Sequence, residues 1–397
     1  LSSPSLSIEP VGEYMLSDFL GQIESDNQMT SLILSKIDVS IIKESNLKPE
    51  DVDDVIMGCV LPAGMGQAPA RQAAIGANIP VSTGATTINK MCGSGMRSAM
   101  IANDQIIAGS SNISVAGGIE SMSNTPYILP KVRAGLRMGH GEVKDHMFID
   151  GLEDAYEPGR LMGTYAEDTA EAYQFTREQQ DEFAIRSLKR AKKANEDGTF
   201  KNEIVPVQIK TRKGETEVFN DEQPFTADIS KIPNLRPAFK KDGTVTAANS
   251  SSISDGAAAL VIMTLEEAEK RNIKPLARII SHSTNSQEPA WFTTAPIGAI
   301  KKVLEKASWK LNDVDLFEIN EAFAVVPMAA MKDLSLSADI VNIHGGACAL
   351  GHPVGTSGAR IIATLITALE KYNLDKGVAS LCIGGGEATA IAIEKFK

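Results

Sequence analysis

Cysteine is scarce in this chain, with 4 among 397 residues, at positions 59, 92, 348 and 382. Thiols so few and so widely spaced exclude a disulfide scaffold and a zinc cluster, and they read as free thiols in a reducing compartment. Positive charge is also short, 39 Lys and Arg against 50 Asp and Glu, a net of −11. That balance argues against a nucleic-acid binder, because phosphate contacts need a basic face, and any anionic ligand must find local positive potential. No run approaches the roughly 18 uncharged apolar residues of a membrane helix. The N-terminus, LSSPSLSIEPVGEYMLSDF, lacks the basic start and apolar stretch of a secretory signal and the Arg-rich pattern of a transit peptide. Cytoplasm is therefore the default expectation. The missing initiator Met leaves a processed precursor, and with it the mitochondrial matrix, open.

What is present is an ordinary globular composition, 43% apolar and 22% charged, in a length that allows two or three domains and a large core. Short β-branched runs (DDVIMG, NISVAGG, ALVIMT, DLFEIN, VASLCIGGG) alternate with helical segments (SGMRSAMIANDQIIAG, REQQDEFAIRSLKRAKKA, SGARIIATLITALEKYN). This alternation indicates an α/β fold with buried strands. The chain also repeats itself. Asp51-Val52-Asp53 precedes Ser94-Gly95-Met96-Arg97 by 43 residues, and Asp313-Val314-Asp315 precedes Ser357-Gly358-Ala359-Arg360 by 44. Gly117-Gly118-Ile119-Glu120 and Gly385-Gly386-Glu387 then follow in the same order. Two copies of one α/β unit are implied, and the cleft between them is the expected site. The polar, loop-rich stretch from about 121 to 247 reads as an insertion covering that cleft, with one long helix whose N-cap is Thr176.

Three segments carry chemistry. Asn89-Lys90-Met91-Cys92-Gly93-Ser94 places a thiol at the start of a helix, where positive potential favours the thiolate and makes a nucleophile. Taken alone, Cys92 is equally compatible with an inert buried residue. Leu350-Gly351-His352-Pro353-Val354-Gly355 places a histidine at the equivalent point of the second copy, where it faces Cys92 as a general base. His344, eight residues earlier, is its local competitor. Leu381-Cys382-Ile383-Gly384-Gly385-Gly386 ends a strand with a thiol and a turn able to aim N–H groups at an oxyanion. Asn320 follows another strand and can hold a water or a carbonyl oxygen. Cys59 and Cys348 are assigned to the core, and no metal-ligand spacing occurs.

NKMCGSGM, AGGIESMSNTPY, NEAFA, NIHGGACALGHPVGTSGAR and CIGGG together resemble the thiolase family, over about residues 47 to 397. The resemblance implies two pseudo-symmetric βαβαβαββ halves in a five-layered α-β-α-β-α core with an inserted loop domain. The halves would be 1–120 with 248–272, and 273–397, with the loop domain at 121–247. It implies an acetyl-CoA C-acetyltransferase that condenses two acetyl-CoA to acetoacetyl-CoA and CoA. Cys92 would be acylated, His352 would activate it, and Cys382 would move the Cα proton. One oxyanion hole would be His352 Nε2 with a water held by Asn320, the other the amides of Cys92 and Gly384. Leu152, Met162, Phe239, Ala247, Ser251, Phe292 and Phe323 would line the pantetheine. CoA thioesters enter as substrates, so no bound cofactor is expected. The same resemblance implies a homodimer or homotetramer and no nucleic-acid or membrane partner. A degradative 3-ketoacyl-CoA thiolase and a catalytically weak binding subunit of the same fold are the competing readings. Residues up to about 46 fit the family pattern poorly, which puts the first strand in doubt. Arg236, Lys240 and Lys241 are the basic cluster expected to meet CoA phosphates.

Overall fold

The computed structural model describes residues 6–11, 42, 45–211 and 214–396. In chain order its strands are β1 (Leu6–Val11), β2 (Asp54–Gly58), β3 (Gly84–Ile88), β4 (Ile113–Ser121), β5 (Tyr127–Ile128), β6 (Lys144–Asp145), β7 (Val207–Thr211), β8 (Gly214–Val218), β9 (Asp255–Thr264), β10 (Ala277–Ser286), β11 (Leu316–Ile319), β12 (Lys376–Ile383) and β13 (Glu387–Lys395). Five of them form one sheet in the order β1-β9-β4-β2-β3, and four form a second in the order β10-β13-β12-β11. In both sheets two adjacent antiparallel pairings lead into a parallel one, so β10, β13, β12 and β11 repeat β1, β9, β4 and β2. The counterpart of β3 is reduced to one bridge, Phe317 to Val341, so the halves are similar in topology and unequal in strand number. The strand that the sequence leaves in doubt forms: β1 pairs antiparallel with β9, Leu6 opposite Thr264. Residues 12–41, the remainder of the atypical start, lie outside the described residues apart from this strand.

The repeated Asp-Val-Asp has a physical reason. Asp53 Oδ2 accepts the N–H groups of Asn112 and Ile113 at the start of β4. Asp315 Oδ2 accepts those of Asp375 and Lys376 at the start of β12. Asp51 and Asp313 each accept the N–H three residues back, from Lys48 and Lys310. Each acidic pair thus satisfies backbone donors that a strand end would otherwise leave unpaired.

Alternation along the strands builds the layers. Val55, Met57, Val115 and Val261 face an outer core with Ala70, Ala73 and Ala74 of helix Pro69–Gly76. Ile56, Ala116, Leu260 and Ile262 face inward and meet Ala379, Leu381, Ile391 and Ile393 of the second sheet across two central helices, Ser94–Ile107 and Ser357–Tyr372. Ala388, Ala390 and Ala392 face the outer helices Ala295–Ala307 and Val325–Leu334. The result is α-β-α-β-α. The helix Ser357–Tyr372 buries Ile361, Ile362, Leu365, Ile366 and Leu369, worth on the order of 10 kcal/mol in sum, comparable to the whole net stability of a typical domain.

The two central helices start against each other. A Cβ on Gly358 would lie 2.2 Å from Met96 N, and one on Gly95 would lie 2.8 Å from Ala359 N. The repeated Ser-Gly is therefore a close-approach motif that brings both helix N-termini to one point, between the sheets. Between β4 and β9, the helix Arg177–Glu196 starts at the Thr176 cap, whose hydroxyl accepts from Gln179 N while the Gln179 side chain accepts from Thr176 N. Arg190 of this helix donates to the carbonyls of Ala338 and Val341, docking the inserted segment on the second sheet's side. Among the described residues no helix is long and apolar enough to cross a membrane.

Candidate active site

Cys92 sits on the turn between β3 and the helix Ser94–Ile107. The turn is held by its own polar side chains: Asn89 Oδ1 accepts Met91 N, and Ser94 Oγ accepts Lys90 N while donating to Met91 O. Met91 is forced to φ +46, a left-handed conformation that costs a non-glycine residue about 1–2 kcal/mol. This strained residue immediately precedes the thiol.

The backbone N–H groups of Cys92 itself and of Gly384 lie close enough to the Cys92 sulfur to lower its thiol pKa. Gly384 opens the turn between β12 and β13, and φ values of +89 and +88 at Gly385 and Gly386 make a turn that side-chain-bearing residues adopt only with strain. A depressed thiol pKa, expected from the helix N-terminus, does not occur. Burial pushes the Cys92 thiol up to about 11, the two amides oppose this, and the charge of Glu120 adds to it. Desolvation outweighs the helix-end potential here, so the resting thiol is protonated and needs a base.

His352 supplies a lone pair. Burial, with Arg360 second, holds its pKa down to about 3, so the imidazole is neutral. Its Nδ1 lies 2.7 Å from Ser357 Oγ. That hydroxyl donates to the carbonyl of Pro353 at 3.1 Å, so it accepts from Nδ1–H, and the network assigns the lone pair to Nε2. The Asn320 amide nitrogen stands 3.4 Å from the same Nδ1. His352 Nε2 and Asn320 Oδ1 are both buried without a hydrogen-bond partner in the protein, two polar atoms left for a ligand. The His352 loop reaches the nucleophile's helix directly, the carbonyls of Thr356 and Gly355 lying 2.8 and 3.0 Å from a Cβ position on Gly95. Val354 packs in one cluster with Cys92.

Cys382 ends β12, fully buried, with its thiol held well above the ordinary range by burial and then by the neighbouring Cys92. It packs with Met162, Phe239, Phe292 and Phe323. Phe239 and Phe323 meet edge to face at 6.0 Å, and Met162 Sδ is 3.4 Å from a Cβ position on Gly384. Leu152 and Cys92 both pack against the small cluster of Val60, Leu61, Met122 and Val354. Ser251 donates its N–H and hydroxyl to the carbonyl of Ala322, fixing it beside Phe323. Ala247 lines a cavity of about 330 Å³ with Leu188, Lys231, Ile232, Leu235 and Cys348.

Other expectations are redistributed. His344 is buried between Phe200 and Tyr372 and stands in no contact with the thiols. Cys59 and Cys348 are buried, Cys348 also bordering the cavity. Lys231 borders that cavity, 3.4 Å from Asp228, and Lys240 stands 3.6 Å from Glu171.

Sequence reasoning overlooked two buried carboxylates. Glu120 accepts the N–H groups of Val60, Leu61 and Gly355, pinning the His352 loop to the first sheet. Burial raises its pKa to about 7 against those three donors. Glu321 accepts from Ser187 Oγ, Asn342 Nδ2 and Cys348 N, joining the Asn320 turn to the segment that leads to His352. A single acid near the end of a strand that otherwise carries only apolar residues, glycine and serine, as Glu120 does in β4, is the signal that could have found it.

Two family descriptions match in chain order: Thiolase, N-terminal domain, over residues 18–266, and Thiolase, C-terminal domain, over residues 273–395. An acetyl-CoA acetyltransferase of Chromobacterium violaceum is 47% identical over 358 residues, 90% of this chain and 91% of that one. One from Rhizobium meliloti is 44% identical over 397 residues, all of both chains. The crystal structure of a thiolase from Ascaris suum in complex with coenzyme A has a TM-score of 0.91 at 39% identity, covering 99% of this chain and 100% of that one. Two linked sheets with inward-starting helices, matched end to end at this identity, leave one conclusion: the chain belongs to the thiolase family.

Proposed function

We propose that the protein is an acetyl-CoA C-acetyltransferase, converting two acetyl-CoA reversibly to acetoacetyl-CoA and CoA through an acetyl group on Cys92. The observation that carries this reading is the meeting of the Cys92 turn with the His352 loop and the strand leading to Gly384, where His352 Nε2 and Asn320 Oδ1 are left buried and unpartnered. His352 Nε2 takes the Cys92 proton as the sulfur attacks the thioester carbonyl. The C–S bond to CoA breaks and the leaving sulfur takes the proton of Cys382, so His352 keeps the Cys92 proton on Nε2 and Cys382 is left as the thiolate. Nδ1 stays partnered throughout, because the Ser357 hydroxyl can accept from it or donate to it. As the carbonyl carbon of the Cys92 thioester becomes tetrahedral, the N–H groups of Cys92 and Gly384 are the donors available to its oxyanion.

In the second half, Cys382 receives a proton from the methyl carbon of another acetyl-CoA, and the carbanion attacks the acetyl group on Cys92. The sulfur of Cys92 departs and regains its proton from His352 Nε2, so both thiols and the neutral imidazole are restored and no proton is consumed. Asn320 Oδ1 and His352 Nε2, the two unpartnered buried atoms, are where the enolate oxygen is stabilised, through Nε2–H and a water. The thioether of Met162 over Gly384 supports a short acyl chain over the longer chains of a degradative thiolase, since each added methylene must find volume there.

For CoA, the apolar cavity with Lys231 at its edge is the proposed path, in keeping with the coenzyme A complex of the Ascaris thiolase. The segment Tyr127–Val143 exposes Tyr127, Leu129, Leu136, Met138 and Val143, Met138 at 99%, which supports a homodimer or homotetramer, to be read from light-scattering mass. The functional test is thiolysis of acetoacetyl-CoA by CoA, compared with an eight-carbon ketoacyl-CoA. Preference for the four-carbon substrate is expected. No turnover of either with Cys92 reduced would overturn the proposal.

A further inference from the structure

The backbone N–H groups of Cys92 and Gly384 come from opposite halves of the molecule, on turns that touch where Gly93 meets Ile383. No covalent geometry sets their separation, so contacts across the halves must. One such contact lies beside them. Lys90 Nζ is 2.7 Å from Glu387 Oε2, a half-buried ion pair joining residues 297 positions apart.

Both ends of this pair are anchored to the turns that carry the donors. Lys90 donates its N–H to Ser94 Oγ and accepts at its carbonyl from Gly93 N, so its backbone is part of the Cys92 turn. Glu387 faces Ile383 in the β12–β13 register, closing the Gly384 turn, and its other oxygen accepts from Ser286 Oγ. The surfaces between are in contact. A Cβ on Gly93 would lie 2.4 Å from Ile383 Cδ1, so the Ile383 side chain packs directly on the Cys92 turn.

We infer that Lys90 and Glu387 are positioning residues for the reaction, a strut that sets the Gly384 N–H against the Cys92 N–H across the cleft. The inference rests on the reading of those two amides as an oxyanion hole. A partly exposed ion pair contributes about 0–1 kcal/mol to stability, so the effect of the strut lies in geometry. Oxyanion donors act on the transition state, and misplacement by a fraction of an ångström lowers turnover without weakening ground-state binding.

The test uses the full-length protein and the variants Lys90→Met, Glu387→Gln and the exchange Lys90→Glu with Glu387→Lys. Acetylation of Cys92 by acetyl-CoA, followed by rapid-quench mass spectrometry, is measured first on the unaltered protein, with kcat and KM of thiolysis alongside. Each single variant should lose about tenfold in kcat and in acetylation rate, with KM and melting temperature nearly unchanged. The exchange should recover most of that loss. Raising salt to about 1 M should slow the unaltered protein and leave Lys90→Met indifferent, a readout that survives if a variant fails to fold. Single variants with full kcat, or an exchange as slow as the singles, would overturn the strut while leaving the Cys92 assignment intact. Absence of acetyl-Cys92 in the unaltered protein would overturn that assignment and the strut with it.

Discussion

His352 Nδ1 and Ser357 Oγ stand 2.7 Å apart, the histidine just before a helix and the serine on its first turn. Because that hydroxyl also reaches the Pro353 carbonyl, a single oxygen ties the imidazole's tautomer to the backbone of its own loop. Ser357→Ala removes the tie, and the Asn320 amide nitrogen that remains beside Nδ1 is a donor that cannot accept Nδ1–H. A loss of about 10-fold to 100-fold in kcat is expected, in the range of general base catalysis, with KM little changed. Unaltered kcat would show that Ser357 does not set the base.

Glu120 is a charge beneath the nucleophile. Glu120→Gln removes a like charge from the neighbourhood of Cys92, so the thiol pKa should fall from about 11. The pH profile of iodoacetamide labelling at Cys92 should shift to lower pH accordingly. An amide cannot accept three N–H donors at two oxygens as the carboxylate does, so the variant should also lose about 1–3 kcal/mol of stability. A labelling profile unmoved or shifted upward would contradict the electrostatic assignment.

His344 is buried with neither ring nitrogen hydrogen-bonded, and burial holds its pKa down to about 4. In the unfolded chain it titrates near 6.5, so below that pH the unfolded state binds the extra proton. Stability is therefore present above about 6.5 and lost as pH falls toward 4. His344→Phe, which keeps the packing against Phe200 and Tyr372, should raise stability at pH 4.5 relative to pH 7.5, by on the order of 2 kcal/mol. Urea midpoints of the variant and the unaltered protein at both values decide it; equal shifts at the two would contradict the assignment.

At the helix crossing, Gly358→Ala would place a methyl 2.2 Å from Met96 N, against backbone that cannot turn aside. A loss of at least about 2 kcal/mol is expected from overpacking at this point, together with reduced activity, since both helices end their approach at the site. Chemical denaturation measures it, and a midpoint within error of the unaltered protein would refute the close-approach reading.

Much of the architecture was legible because local chemistry repeats. Asp53 and Asp315, Ser94 and Ser357, and Gly95 and Gly358 do the same local work in each half, and the Thr176 cap needs only its neighbours. Cys92, His352, Cys382 and Asn320 were legible because each sits in a turn whose glycines or helix start mark it. What could not be read depends on residues distant in sequence. The Cys92 thiol pKa runs opposite to the helix-end expectation because burial and Glu120 decide it. The Lys90–Glu387 pair arises only when the halves close on each other, the Lys231 edge of the cavity forms where the inserted segment folds over Cys348, and the shrinkage of the fifth strand to a Phe317–Val341 bridge is set by pairing within the second half.

The central claim is that Cys92 carries the acyl group and Cys382 moves the proton in the following step. Mass spectrometry of the unaltered protein, Cys92→Ala and Cys382→Ala after exposure to acetyl-CoA, with acetoacetyl-CoA measured in the same tubes, tests both roles together. The expected result is acetyl-Cys92 in the unaltered protein and in Cys382→Ala, none in Cys92→Ala, and condensation only in the unaltered protein. An acetyl group on Cys92→Ala, or full condensation by Cys382→Ala, would contradict it.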